Sequence, residues 1–286
     1  MNSRSTLIAC SLLLAACEPQ INVEFVATPL DSDSDVTLRL DGVDLQRLDG
    51  GTESLTRNST GEYLIAGRTA TPLPADLLSN SDIESGEYTG LLLRLADNIG
   101  NVSRSGQQSI FIDAGVATFQ AADVAFMIDG DRDQNISLVV AMDLALSLSE
   151  DDGEFTLDPL IRAMEREDAA SLGGNIPASR LDGTDCNFTD SIARVYLFKR
   201  TGSEPVVPDE RDGSNPEPFA VAGVLRAGAG GTYRLDYLPP GDYTLALTCD
   251  GQFENGRRPA DENMDFELEG NVRLDAGQDR VLDFET

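Results

Sequence analysis

Alternation with a period of two residues runs through most of the chain. In Asp35-Val36-Thr37-Leu38-Arg39-Leu40-Asp41 the apolar side chains fall on one face of an extended segment and the polar ones on the other, and residues 91–95 and 109–113 repeat the pattern. Longer apolar-rich segments follow at 116–128, 136–148 and 155–163. Clusters such as Asp49-Gly50-Gly51, Asp97-Asn98-Ile99-Gly100 and Asp151-Asp152-Gly153 separate them. Glycine accepts positive φ and Asp or Asn bonds its own backbone, so each cluster reads as a turn. Many short strands punctuated by turns predict an all-β protein, two β-sandwich domains in tandem, rather than a helical bundle. Pro74 is placed to open one short helix over 75–79.

The strand pattern breaks over 165–174, where charge and the pair Gly173-Gly174 read as a hinge. Strands resume at 191–199, 219–226, 232–237, 241–249, 266–274 and 278–284, and the Pro-, Asp- and Glu-rich stretch 202–218 reads as a solvated loop. A second break lies at the N-terminus, where Arg4 precedes an apolar run over 7–16 interrupted by Cys10 and Ser11. That run has the length of the apolar core of a secretory signal and is too short for a membrane span. The predicted organisation is a signal at 1–16, an N-terminal sandwich at 17–164, a linker at 165–175 and a C-terminal sandwich at 176–286.

The run ends in Leu14-Ala15-Ala16-Cys17, which resembles the bacterial lipobox. The resemblance implies that Cys17 is acylated and becomes the first residue of the mature chain, held in the membrane through its lipid. Each buried methylene contributes ~0.8 kcal/mol, so several chains together anchor permanently. Glu18 rather than Asp follows the cysteine, which by the same resemblance favours the outer membrane. A plain secretory signal cut after Ala16 is the alternative. With Cys10 removed and Cys17 acylated, Cys186 and Cys249 remain as an even pair, expected to form a disulfide in an oxidising compartment, with two buried thiols as the alternative. Without histidine, two cysteines make a poor zinc site.

Fifty acidic side chains against 21 basic ones give a net charge of −29, and −30 once the signal is removed. That balance disfavours nucleic acid and anionic headgroups as partners. Lys199 is the single lysine. The absence of histidine excludes Ser-His-Asp and Cys-His catalysis, and the chain carries no Gly-x-Ser-x-Gly elbow or phosphate-binding loop, so no catalytic residue is assigned. Carboxylates alternate at Asp31, Asp33 and Asp35 and again at Asp129, Asp131 and Asp133, a spacing that can converge on Ca²⁺. The second cluster begins like an EF-hand loop but has Gln134 at the glycine position and Val140 at the bidentate glutamate position, leaving a looser calcium site or a solvated acidic turn. No other cofactor is implied. Tyr196, Tyr233, Tyr237 and Tyr243 fall at strand positions and read as core or corner residues.

The segment Gly231-Thr232-Tyr233-Arg234-Leu235-Asp236-Tyr237-Leu238-Pro239-Pro240-Gly241-Asp242-Tyr243-Thr244-Leu245 is similar to the closing hairpin of carboxypeptidase-regulatory-like, or prealbumin-like, β-sandwich domains. Upstream, Asp35-Val36-Thr37-Leu38 leading to Val43-Asp44-Leu45, then Ile83-Glu84-Ser85-Gly86-Glu87-Tyr88-Thr89-Gly90-Leu91-Leu92-Leu93-Arg94-Leu95 and Phe155-Thr156-Leu157-Asp158-Pro159-Leu160-Ile161-Arg162 resemble the family called Domain of Unknown Function 4382, although Glu84-Ser85-Gly86 stands where Leu-Pro-Ala-Gly is commoner. Lipoproteins joining these two domains look like this chain over nearly its whole mature length. The resemblance implies two sandwiches and carries over no catalytic residue. The resulting expectation is a non-enzymatic, membrane-anchored envelope or surface module that binds or spaces an unidentified ligand, a glycan or an envelope protein being the candidate partner classes. A carbohydrate-binding lipoprotein and, further off, a carboxylate- or metal-dependent hydrolase are the rival expectations.

Overall fold

The alternation Gln20-Ile21-Asn22-Val23-Glu24-Phe25 folds as β1 (Gln20–Thr28), with Ile21, Val23, Phe25 and Ala27 turned into a core. The computed structural model of the chain describes residues 19–28, 34–57, 63–66, 75–104, 110–113, 118–121, 126–128, 135–152, 154–181, 186, 193–200, 218–227, 229–251 and 265–285. After β1 come β2 (Ser34–Arg47), β3 (Thr52–Thr56), β4 (Tyr63–Ala66), β5 (Ala75–Asp82), β6 (Gly86–Arg104) and β7 (Ile110–Asp113). They are followed by β8 (Thr118–Gln120), β9 (Phe126–Ile128), β10 (Asn135–Asp143), the single helical turn α1 (Leu144–Ser147), β11 (Leu148–Asp151), β12 (Glu154–Leu157) and β13 (Ile161–Glu165). The rest of the chain forms β14 (Ala170–Ile176), the helical turn α2 (Ala178–Leu181), β15 (Arg194–Lys199), β16 (Ala220–Gly223), β17 (Leu225–Ala227), β18 (Gly230–Leu238), β19 (Gly241–Thr248), β20 (Glu267–Leu274) and β21 (Asp279–Val281).

The strands pair into four sheets. One runs β13-β10-β1-β5 and packs on another whose path is β11-β12-β7-β6-β2-β3, with β4 also on β2 and β8 and β9 also on β6. Ile21, Phe25, Leu38, Leu45, Leu91, Leu93, Leu138 and Met142 fill the space between them. The other two run β17-β18-β14-β21 and β16-β15-β19-β20, over a separate core that includes Leu172, Val195, Leu197, Leu235, Tyr243 and Leu245. The fold is all-β, built of sandwiches, as the alternation predicts.

Four local expectations are corrected. The helix expected over 75–79 is instead the start of β5, where Ala75 pairs with Phe25, Asp76 with Glu24 and Leu78 with Val23. Without β5, β1 would bury an open row of amides and carbonyls, and that demand outweighs the local signal of Pro74. The cluster at 97–100 is not a turn between strands but an irregularity inside β6. The register with β2 jumps from Leu38↔Gly100 to Leu40↔Leu95, looping out 96–99 opposite Arg39. Gly100 has φ +152, and a Cβ there would stand 1.8 Å from the Thr37 carbonyl oxygen, so only glycine permits this crossing.

The linker expected over 165–175 is a tight turn running straight into a core strand. Arg166 N–H donates to the Ser137 carbonyl at 2.7 Å, Asp168 N–H to that of Glu165 at 3.1 Å, and β14 then buries Ala170 and Leu172. The Gly173-Gly174 pair serves packing: a Cβ on Gly174 would lie 1.9 Å from the Leu282 carbonyl oxygen. Finally, the segment read as a hairpin over 231–245 is a crossover between sheets, because β18 and β19 belong to different ones and Pro239-Pro240 makes the corner. Tyr243 Oη donates to the Pro239 carbonyl at 2.6 Å and Tyr233 Oη to that of Leu282 at 2.7 Å, so both phenols are core residues with a hydrogen-bonded tip.

Cys186 and Cys249 form the expected disulfide, with 4.9 Å between their Cα atoms and a separation of 63 positions in sequence. It ties the stretch after α2 to the end of β19. Closing a loop of that size removes enough freedom from the unfolded chain to stabilise by about 4 kcal/mol. The Cys186→Ala, Cys249→Ala double variant should therefore unfold at a clearly lower denaturant midpoint than the oxidised protein. Reduction with dithiothreitol should produce the same shift in wild type and none in the variant.

Candidate functional site

Period-two alternation fails in the second half of β10, where Val139-Val140-Ala141-Met142-Asp143 is buried at every position. A strand buried on both faces has to be covered from both sides. Ile136, Leu138, Val140 and Met142 face the first core, while Val139 and Ala141, with Val26 of β1, face the ring of Tyr237 from β18. Beside them, Ala145 and Leu146 of α1 and Leu160 pack on Tyr196 and Phe198 of β15, Val221 of β16, Ala246 of β19 and Phe266. Phe266 meets both Tyr196 and Phe198 edge to face, with centroids 5.3 and 5.7 Å apart. The strands before 165 and those after 170 thus share an apolar seam.

A full charge pair sits in this seam. Arg162 on β13 is 1 % exposed and Asp143 at the end of β10 is 0 % exposed. Arg162 Nη1 donates to Asp143 Oδ2, and Nη2 lies 3.4 Å from Oδ1. The guanidinium also reaches into the C-terminal sheets: Nη1 donates to the Phe219 carbonyl at 3.0 Å, Nε to the Tyr237 carbonyl at 3.3 Å, and Cζ stands 5.5 Å from the centre of the Phe219 ring. Asp143 Oδ1 accepts from Thr28 Oγ1 at 2.7 Å. A guanidinium offers five donors in one plane, which is why a single side chain can hold a carboxylate and two carbonyls at once.

Tyr237 carries the backbone cost of this arrangement. Its φ is +55, in the left-handed region that residues with a Cβ seldom occupy. The register of β18 with β14 slips between Leu235↔Leu172 and Leu238↔Ala170, leaving Asp236 and Tyr237 opposite Ser171 alone. The carbonyl that accepts from Arg162 and the ring that covers Val139 both belong to this bulged residue.

A second convergence lies at one end of the first sandwich. Arg47 Nη1 is 2.6 Å from Glu84 Oε2, Nη2 donates to the Ser85 carbonyl at 3.2 Å, and Nε is 3.4 Å from Asp49 Oδ2. Tyr88 Oη donates to Glu53 Oε2 at 2.5 Å and lies 2.8 Å from the Glu84 carbonyl, while the Glu84 N–H donates to the Glu53 carboxylate. Burial first, and then the hydrogen bond to Glu53, raise the Tyr88 pKa well above the ordinary value for a phenol. These donors engage the carboxylates of Glu53 and Glu84, so the cluster clamps the turn after β2 to the turn before β6.

Of the sequence-predicted site residues, Cys186 and Cys249 are brought together. Cys17 lies outside the described residues, and so do Asp31, Asp33, Asp129, Asp131 and Asp133. Among the described residues, no group of three or more His, Cys, Asp or Glu is placed to hold a metal ion. The seam was missed by sequence reasoning although it left a trace. In Leu160-Ile161-Arg162-Ala163-Met164 and Met142-Asp143-Leu144 a single charge interrupts an apolar run, which marks a buried ion pair as readily as a strand end.

No family model and no curated protein matches the chain. Among solved structures it is similar to a candidate adhesin from Bacteroides ovatus, at 10% identity over 91% of this chain and 79% of that one with a TM-score of 0.20. It is similar also to a candidate cell adhesion protein from Bacteroides fragilis, at 10% identity over 92% of each chain with a TM-score of 0.19. A third is the fimbrial anchor protein Mfa2 from Porphyromonas gingivalis, at 12% identity over 93% of this chain and 91% of that one with a TM-score of 0.20. At such scores the likeness supports no assignment of fold or function.

Two predictions follow from the ionisable groups. Arg162→Met leaves Asp143 buried without its cation and should destabilise by about 3–5 kcal/mol in urea unfolding, whereas adding Asp143→Leu should recover most of that loss. A double variant no more stable than Arg162→Met would contradict the pairing. For Tyr88 the folded pKa lies above the unfolded value of about 10, so above that pH the unfolded chain loses a proton that the folded chain keeps, and stability falls as pH rises. Tyr88→Phe should cost about 1 kcal/mol at neutral pH and flatten the decline above pH ~10 in denaturant titrations.

Proposed function

We propose that this chain is a lipid-anchored lipoprotein of the bacterial envelope, attached through Cys17, and that its exported part is a non-enzymatic structural or binding module built as one stiff body. The observation that carries the reading is the seam around Arg162 and Asp143, where a buried ion pair, two carbonyls and an apolar surface fix the two sandwiches against each other. Buried charge and strained backbone are spent here on a contact between domains rather than on an open cleft. The Cys186 to Cys249 bridge is consistent with an oxidising compartment outside the cytoplasm. Leu14-Ala15-Ala16-Cys17 supplies the anchor, and Glu18 after it favours the outer membrane over the inner. The likeness to lipoproteins that join a domain of the 4382 family to a prealbumin-like sandwich points the same way.

The anchor is tested in the expressing bacterium. The N-terminal peptide of the mature protein should begin at Cys17 and carry the mass of its acyl chains, and Cys17→Ser should move the protein out of the membrane fraction. An unmodified Cys17, or cleavage at another residue, would sink the proposal.

A further inference from the structure

The folded body begins almost at the anchor. Pro19 is buried, its carbonyl accepts the Ile83 N–H at 3.0 Å, and β1 starts at the next residue. Ile83 itself belongs to the first core. Only Glu18 separates Pro19 from Cys17 in sequence. Since an extended chain advances at most ~3.6 Å per residue, the Cys17 Cα lies within about 7 Å of Pro19. No tether is long enough to let the sandwich swing away from whatever Cys17 is embedded in.

The end of the sandwich around Pro19 has its own character. Two turns lie beside it, the one between β2 and β3 and the one between β5 and β6. Ile83 ties the second to Pro19, and the Arg47 and Glu84 pair together with the Leu48 N–H to Glu87 carbonyl bond tie the first to the second. Leu48, in the first turn, is 62 % exposed although it is a large apolar residue. Arg47 precedes it, 20 % exposed and paired with both Glu84 and Asp49. Asp49 and Glu84 keep most of their side-chain surface in water, at 66 % and 78 %, so this corner carries two exposed carboxylates against one guanidinium. Exposed carboxylates repel anionic headgroups and tolerate zwitterionic ones, whose ammonium groups can approach them.

We infer that this end of the first sandwich is a membrane-contact surface, seated directly on a zwitterionic bilayer with Leu48 in the headgroup layer. The inference rests on the lipid anchor proposed above. It goes further in fixing which surface meets the lipid and how the body stands. β1 rises from that surface toward Thr28, which is bonded to Asp143, so the seam is held about 26 Å along the strand from Gln20.

The test uses the full-length acylated protein in vesicles of phosphatidylethanolamine and phosphatidylcholine that carry a nitroxide on a fraction of the headgroups. A fluorophore is placed at Leu48→Cys or at Glu154→Cys, both exposed positions; Glu154 begins β12, which pairs with β11 immediately after α1 at the seam end. Flotation with the vesicles and the acyl mass on Cys17 report on the anchor alone. The expected result is at least several-fold stronger quenching at 48 than at 154, weakened when phosphatidylglycerol replaces the zwitterionic lipid. Protein that floats but is quenched equally at both positions would overturn the contact surface and leave the anchor standing. Undiminished quenching on phosphatidylglycerol would overturn the choice of headgroup, and protein that fails to float would remove both the anchor and the surface.

Discussion

A guanidinium and a carboxylate removed from water decide how the two halves of this molecule meet. Desolvating such a pair costs about as much as the pair returns, so Arg162 and Asp143 add little net stability over well-packed apolar residues. Their effect is on geometry. An apolar seam alone, such as the one between Leu146 and Phe198, tolerates sliding and rotation, because dispersion has no direction. Arg162 removes that freedom: it meets Asp143 from its own sheet and the Phe219 and Tyr237 carbonyls from the other half. Any displacement strands a buried charge. The left-handed backbone at Tyr237 persists under the same constraint, its carbonyl and its ring each held by the first sandwich.

Basic side chains are scarce in this chain, 21 against 50 acids, and several of the described ones bridge separate segments. Arg47 fastens two turns, and Arg94 crosses from β6 to the Leu55 carbonyl at 3.0 Å and Thr56 Oγ1 at 3.1 Å beside the end of β3. Arg226 donates to the Cys186 carbonyl at 2.8 Å, next to the disulfide. Arg234 joins Asp236, Asp279 and Ser171 across three strands. The excess acid keeps the surface hydrated and repelling, while these four cations act as cross-braces between segments distant in sequence. Such a division of roles was invisible in the net charge, which reports the sum and not the positions.

Much of the strand content was legible because alternation is a local property. Residues 35–41, 91–95 and 232–237 announced half-buried strands, and β2, β6 and β18 contain them. What failed was everything decided by a partner far away. Ala75 to Ser79 became strand because β1 required a neighbour, and Gly173-Gly174 was read as a hinge because the close approach of Leu282 cannot be seen from the glycines. The crossover at Pro239-Pro240 looked like a hairpin because turn chemistry is the same whether the chain returns within a sheet or passes to another. At the candidate site, the pairing of Cys186 with Cys249 followed from arithmetic. The pairing of Arg162 with Asp143 did not, since it depends on two strands from one sandwich and two carbonyls from the other.

The central partners of the first sheet are β1 and β10, parallel and in register from Gln20↔Asn135 to Thr28↔Asp143. Between them lie more than a hundred residues, which places this contact among the slowest kinds to form. A chain that emerges N-terminus first presents β1 long before its parallel partner exists. The same delay recurs in the second sandwich, where β14 opens the sheet and meets its parallel neighbour β21 only at the end of the chain. Each half therefore has to keep its first strand waiting for its last ones. Until β10 arrives, β1 can be covered on one edge only, by its antiparallel neighbour β5, and its other row of amides and carbonyls stays open to any passing strand.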